Sequence, residues 1–419
     1  MLDGFLFILR LIVRVLTGIV TVSYLYQLVY LFLPGVLKPR PHKPTRLHRY
    51  AVLIAARNEE AVLPHLLDSL RNQDYPADLI HVFVIADNCT DNTAKVAAEG
   101  GARVYTRFNS TQIGKGYALN YLLGLMESSG ELRQYDAFLI FDADNLLEPG
   151  YIRAMNRTCS DGYEAFCGYR NTKNFGDSWL SSGCGLWYLH ESTHLNRSRM
   201  LIGSSCAVSG TGFGFTRQLL ERLGGWNFFT LTEDIEFSVR CATQGIRIGY
   251  CHDAILYDEQ TTTFSQSWRQ RTRWTQGSMQ VSIRYARDLF RGLFKGGHTA
   301  YASFETATLS MWGYGTAAVS CALSLLLTFL ELHWLGLAQA IAMTLLGTYL
   351  SMLLIGVLTL CSEWHRIRAT TSRKLCSLLT FPFFMMSFIP VALAAPFQKF
   401  QWLPIHHTVA VSAASMEKK

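Results

Sequence analysis

Apolar residues fall along this chain in blocks of two different lengths. Residues 15–33 form one unbroken run whose only strongly polar member is Gln27, about long enough to cross a hydrocarbon core of ~30 Å. Three comparable stretches, residues 306–330, 335–360 and 375–397, crowd the last third. Between them the apolar runs shorten and each ends in polar residues. Residues 50–56 lead into Arg57-Asn58-Glu59-Glu60, and a helical pattern through Leu63, Leu66, Leu67 and Leu70 follows. Residues 80–86 lead into Asp87-Asn88-Cys89-Thr90-Asp91; residues 102–106 and 137–141 form two more runs, with a helical stretch over 117–128 between them. Short apolar strands alternating with helices at intervals of about 30 residues predict parallel βαβ units. The pattern is thus a Rossmann-like α/β domain inserted between transmembrane α-helices.

The divisions predicted are an N-terminal anchor at 1–34, a basic Pro-rich linker at 35–49 and the α/β domain at 50–262. Amphipathic interface helices follow at 263–298, a three-helix membrane region at 299–397 and a tail at 398–419. Pro382, Pro390 and Pro396 predict a kinked last span. Trp274, Val281, Tyr285 and Leu289 can share one face of an interfacial helix with Arg271, Arg284, Arg287 and Arg291 near it.

Composition changes this picture little. Charged residues are only 16% of the chain and hydrophobic ones 49%, against about 25% charged in soluble domains. The net charge of +7 would fit nucleic acid, but the basic residues sit beside apolar segments, where anionic headgroups and membrane topology account for them. Lys38, Arg40, Lys43, Arg46 and Arg49 follow the first span, and Arg366, Arg368, Arg373 and Lys374 separate the last two. The turn Glu331-Leu332-His333-Trp334 has neither Lys nor Arg. By the positive-inside rule the α/β domain is cytoplasmic, and the N-terminus and that turn are outside; Lys399, Lys418 and Lys419 in the external tail run against this. The first span is too long for a signal-peptide core and reads as a retained anchor in the plasma membrane. Ten cysteines without CxxC pairs read as small buried hydrophobes in a reducing compartment.

In parallel sheets ligands collect beyond the carboxyl ends of the strands, and Arg57, Asp87 and Asp142 each follow a strand. Asp142 and Asp144 lie two apart, so in an extended chain their carboxylates share a side and suit Mg²⁺ or Mn²⁺. A solvated turn is the plain alternative. Asp87 can accept from a ribose or base edge, or cap a turn. Lys115, in Gly114-Lys115-Gly116, can reach phosphate, although the P-loop spacing is missing. Asp234, in Leu231-Thr232-Glu233-Asp234-Ile235-Glu236, suits a general base; Thr230 or Thr232 would cap that helix, and capping alone would explain Glu233 and Glu236. Gly210-Thr211-Gly212 can let a sugar approach the backbone or simply turn the chain. Arg273 can hold a diphosphate, and Trp274 can stack on a sugar ring beside Gln270.

Taken in order, Ala55-Ala56-Arg57-Asn58-Glu59-Glu60, Asp87, Lys115-Gly116-Tyr117-Ala118-Leu119-Asn120, Asp142-Ala143-Asp144, Thr232-Glu233-Asp234 and Gln270 to Trp274 resemble the inverting family-2 glycosyltransferases of membranes. These include the cellulose, chitin, hyaluronan and poly-N-acetylglucosamine synthases. The resemblance spans roughly residues 50 to 290 and implies a GT-A fold. It implies donor binding by Ala55, Arg57, Glu59, Asp87, Lys115, Asp142 and Arg273, and metal binding (Mg²⁺ or Mn²⁺) by Asp144. Asp234 would be the base with Glu233 beside it, and Gln270, Trp274 and Gly212 would face the acceptor. The family often has Asp-Asp-Gly-Ser where this chain has Ala86-Asp87-Asn88-Cys89, which bears on uridine selectivity, and no cyclic-dinucleotide control is implied. The expected reaction moves glucose or N-acetylglucosamine from a UDP-sugar onto a growing β-linked polysaccharide, with export. Single transfer to a lipid such as diacylglycerol is the nearest rival, and a non-catalytic channel or scaffold the next. Membrane lipids are expected partners and nucleic acid is not; oligomeric state stays open.

Overall fold

The computed structural model describes residues 2–398, so nearly all of the expected tail, with Lys399, Lys418 and Lys419, lies outside the described residues. Eight strands form one mixed sheet: β1 (Tyr50–Ala56), β2 (Ile80–Asp87), β3 (Arg103–Arg107), β4 (Ala137–Asp142), β5 (Leu146–Leu147), β6 (Ala165–Thr172), β7 (Phe213–Thr216) and β8 (Ile248–Asp258). Their order is β3-β2-β1-β4-β7-β6-β8-β5. β3, β2, β1 and β4 run parallel, and β7 is antiparallel to both β4 and β6.

Alternation along the strands makes two cores. Ala51 and Leu53 of β1 face Leu119, Leu122, Phe213, Trp226 and Phe237, whereas Tyr50, Val52 and Ile54 face Leu63, Leu66, Ile152 and Met155. This period of two puts helices on both faces of a buried sheet. The chain leaves β1 toward β2 on one side, and β4 flanks it on the other. That reversal opens a crevice at the strands' carboxyl ends. Register makes the crevice level, because Ala55 pairs with both Ile85 and Asp142.

Three described helices are long and apolar enough to cross a membrane: 3–36, Met311–Glu363 and the segment 371–397. The second leaves the α/β domain and returns to it. Trp312 Nε1 donates to the Ser282 carbonyl at its start, and Glu363 accepts from Tyr169 Oη and Thr193 Oγ1 at its end. The reversal is at His333, where φ is 53°, inside the expected turn. Arg10 reaches Glu331 at 2.6 Å, so the start of the first helix and the reversal lie on the same side, away from the α/β domain. The last span breaks at Ser387 between Thr371–Met386 and Phe388–Ala394.

Two expectations need correction. The second span does not begin at 306: Gly297–Thr308 is a separate helix, and the span starts at Met311 behind Ser310, whose side chain accepts from Trp312 N. Buried Glu305 explains the difference, since it accepts from Tyr30, Arg199 and Ser204 and fastens this helix to the α/β domain and the first span. The expected boundary at 298/299 therefore falls inside a helix. Nor do Trp274, Val281, Tyr285 and Leu289 share one contact surface. The helix Phe264–Arg284 ends before Tyr285, and Val281, Tyr285 and Leu289 pack on Val239, while Trp274 packs beside Tyr188 and Phe384. Arg271 is buried, donating to Ser387 Oγ at 2.5 Å and lying over the rings of Phe384 and Phe388.

Candidate active site

The crevice is built from strand ends. Asp87 closes β2 and is buried with Arg107, which closes β3; their registers pair, and Arg107 Nη1 donates to Asp87 Oδ1 at 2.6 Å. No motif contained Arg107. The readable signal was a cation ending one strand beside an acid ending its neighbour. Asn58 and Asn88, just past β1 and β2, have positive φ of 58° and 54°, a conformation asparagine tolerates better than most residues. Their side chains brace the neighbouring loops, accepting from Thr90 N and Asn109 N. Arg57 and Glu59 are half-buried on this rim, the Glu59 N–H donating to Thr93 Oγ1, and Ala55 lies one strand position behind.

Lys115 begins the helix Lys115–Ser128, which Gly116 lets approach the Phe228 carbonyl more closely than any side chain would allow. Its ammonium donates to Asp142 Oδ1 at 2.5 Å and the Gly210 carbonyl at 2.8 Å, and lies 3.9 Å from Glu233. Burial disfavours its charge, but Asp142, Glu233 and Asp234 together hold its pKa above the ordinary value. Lys115 therefore joins the strand ends to the helix Glu233–Gln244.

At the start of that helix the four polar side chains divide. Thr232 is the cap residue but makes no cap hydrogen bond; it packs under Gly277 instead, correcting the capping expectation. Glu236 is fully buried and structural, accepting from Phe229 N, Thr230 N and Tyr285 Oη and pairing with Arg284. Glu233 is buried toward Lys115, and burial pushes its carboxyl up to about 7 against the opposing pull of Lys115. Asp234 is half-exposed at the crevice and accepts from Gly210 N.

Asp142 is more exposed than Asp144, whose carboxylate accepts from Asn145 Nδ2 and Glu259 N. Buried Lys173 donates to the Asp144 carbonyl. Gly210, with φ of 78°, offers its N–H to Asp234 and its carbonyl to Lys115. Gly212, expected at the acceptor, sits at the sheet directly before β7. It is buried, its N–H bonds the Ile140 carbonyl, its own carbonyl serves Gly168 and Tyr151, and a side chain there would meet Leu256. The glycine that faces the crevice is two residues earlier.

On the remaining side, Arg273 donates to the Leu231 carbonyl at 3.1 Å, ahead of Glu233 and Asp234. Gln270 is half-buried on the same helix. Trp274 stands edge-on to Tyr188, which lies 3.7 Å beneath the Arg170 guanidinium. Arg170 Nε donates to Asp258 at 2.6 Å and Nη1 to the Ser209 carbonyl at 2.7 Å. Arg170, Tyr188 and Asp258 were not singled out from sequence, because nothing local distinguishes them from core-flanking residues.

Residues 48–277 match the family described as glycosyltransferase like family 2. A β-monoglucosyldiacylglycerol synthase of Nostoc sp. is 30% identical over 244 residues, 56% of this chain and 50% of that protein. A probable glycosyltransferase, YdaM, of Bacillus subtilis is 27% identical over 58% of this chain and 59% of its own length. The poly-β-1,6-N-acetyl-D-glucosamine synthase of Staphylococcus epidermidis is 26% identical over 55% of each chain. The matched region thus spans about half the length of these curated relatives. In structure, the mannosyltransferase PcManGT of Pyrobaculum calidifontis, solved with GDP-Man and Mn²⁺, superposes at a TM-score of 0.56 with 20% identity, over 92% of this chain and 99% of that one. That is a likeness of fold.

Proposed function

Because the chain belongs to glycosyltransferase family 2 and has a GT-A fold, we propose that it transfers a hexose, glucose or N-acetylglucosamine, from a UDP-sugar to a hydroxyl presented at a membrane, with inversion. The observation that carries this reading is the position of Lys115, which links Asp142, Gly210 and Glu233 and so closes one crevice around both halves of the motif set.

Asp87, held by Arg107, serves the nucleoside together with Ala55, Arg57 and Glu59. Lys115 and Arg273 face the diphosphate. Asp234 is the base, with its carboxylate aimed by the Gly210 amide. The acceptor oxygen attacks the anomeric carbon as its proton passes to Asp234, and the bond to the UDP oxygen breaks on the opposite side. Among the described residues no three His, Cys, Asp or Glu side chains form a cage. The donor set fits Mg²⁺ or Mn²⁺, which accept carboxylate oxygen and fill the rest of their shell from phosphate and water. Asp144, with Asp142 beside it, would hold the ion, which when bound neutralises charge on the leaving diphosphate.

A β-linked polysaccharide under elongation, exported as it grows, is the first reading of the acceptor. A cavity of about 280 Å³ supports the second, single transfer to a lipid. It is lined by Leu25, Gln27, Leu28 and Leu31 of the first span together with His190 and Ile355, and Leu25 and Leu28 are exposed on that span. The test is to incubate the protein in nanodiscs with radiolabelled UDP-glucose or UDP-N-acetylglucosamine and Mg²⁺ or Mn²⁺. Label in large lipid-free material supports the polysaccharide reading, and label in one chloroform-soluble species the glycolipid. Asp144→Asn and Asp234→Asn should each abolish transfer; normal turnover in either folded variant would sink the assignment.

A further inference from the structure

The helix beneath the crevice changes its winding once. Trp179–His190 is α-helical, Glu191–Asn196 is π-helical and Arg197–Ile202 is α-helical again. A π turn inserts an extra residue at a cost in hydrogen-bond geometry, and it occurs frequently at functional sites. The first residue of this one is Glu191. Its Oε2 accepts from Ser209 Oγ at 2.8 Å. Ser209 precedes Gly210, whose N–H donates to Asp234, and the Ser209 carbonyl is held by Arg170. Glu191 Oε1 takes no hydrogen bond from any described residue, and the side chain is only half-buried by its surroundings.

Location adds a second argument. Arg170, beside Glu191, also carries Tyr188, and Tyr188 meets Trp274, so Glu191 lies on the Trp274 side of the crevice. His190, the preceding residue, lines the cavity that opens toward the first span. Glu191 therefore stands between the Gly210 loop that holds Asp234 and the cavity lined by the first span. Burial pushes its carboxyl above the ordinary range, with Asp234 adding to the effect and Ser209, Arg170 and Arg199 opposing it.

We propose that Glu191 is an acceptor-positioning residue: Oε1 receives a hydrogen bond from the acceptor beside the reacting hydroxyl, while Oε2, through Ser209, fixes the Gly210 amide that aims Asp234. No bond is made or broken at Glu191. The inference rests on the transferase reading and deepens it, since it gives the acceptor side a carboxylate that none of the sequence motifs contains.

The experiment uses the full chain in nanodiscs with Glu191→Ala, Glu191→Gln and Ser209→Ala. UDP with Mn²⁺ probes the donor side by calorimetry, and transfer from UDP-glucose and UDP-N-acetylglucosamine is measured with dioleoylglycerol and, separately, with β-linked disaccharide as acceptor. Glu191→Ala should lower kcat by roughly 100-fold, the scale of a misplaced reactant, with UDP affinity and donor KM unchanged. Glu191→Gln keeps the Ser209 bond and should fall less in kcat while raising acceptor KM. Adding Ser209→Ala to Glu191→Ala should cost little more, because both act through one loop. UDP affinity falling in step with transfer would mean a merely structural role and overturn the proposal, as would wild-type turnover in both Glu191 variants. Wild-type protein that binds no UDP would overturn the transferase reading and this inference with it.

Discussion

A carboxylate buried at the end of a strand needs a partner to replace the water it gives up, and Arg107 pairs with Asp87 across adjacent parallel strands. Removing one partner of such a pair leaves a buried charge uncompensated, at a cost of about 3–5 kcal/mol. Arg107→Leu should therefore lower stability by that order in urea unfolding and weaken UDP binding, whereas the double variant Arg107→Leu/Asp87→Leu should recover stability without recovering UDP. Glu233 gives a prediction of opposite character. Its folded carboxyl sits at about 7 and its ordinary value is 4.5, so between those values the folded protein holds a proton the unfolded chain has released. The associated stability is complete below the lower value and lost as pH rises through the upper one. Stability of the wild type relative to Glu233→Gln should thus fall by about 1–3 kcal/mol between about pH 5 and pH 8. A flat difference would mean that Lys115 keeps Glu233 ionised throughout. Residues of this kind mark the limit of sequence reading: Asp87, Asp142 and Asp234 announce themselves by following strands or opening a helix. Arg107, Arg170 and Glu191 matter through partners 18 to 88 positions away.

Helices and strands were legible where their period was strong. The runs at 50–56, 80–86 and 137–141 each lie within β1, β2 and β4, because fully buried strands need continuous apolar residues. The antiparallel half was not legible: β5 has two residues and β7 four, too short for any period, and they exist by pairing with β8 and with β4 and β6. An apolar face through Trp274, Val281, Tyr285 and Leu289 with Arg271, Arg284, Arg287 and Arg291 near it predicts an interfacial helix, and the helix Phe264–Arg284 carries the first part of that pattern. It packs on Val239 through Val281 and beside Phe384 through Trp274, with Arg271 inside. Gly277 sets how closely it approaches the helix Glu233–Gln244, since a Cβ there would lie 2.5 Å from Thr232 Oγ1. Gly277→Ala should push Arg273 and Trp274 away from Asp234 and lower kcat by at least about tenfold, with UDP-binding far less affected. Full activity in that variant would show that the contact has slack.

For the whole molecule, the pairing of Arg10 with Glu331 and the attachment of Glu363 to Tyr169 put the reversal and the α/β domain at opposite ends of the apolar helices. His333 and Ser372 are both exposed, at opposite ends of the membrane region. In a protein stripped of its ten cysteines, His333→Cys should react with a membrane-impermeant maleimide on intact cells, and Ser372→Cys only after permeabilisation. The reverse pattern would invert the topology. Tyr30, Arg199 and Ser204 converge on Glu305 and tie the first span, the helix carrying Glu191 and the helix Gly297–Thr308 into one rigid joint. The crevice is consequently held at a set distance from the first span. Reach then filters acceptors before shape does: a hydroxyl on a short headgroup and one at the tip of a tall carbohydrate stalk would arrive at Asp234 on unequal terms.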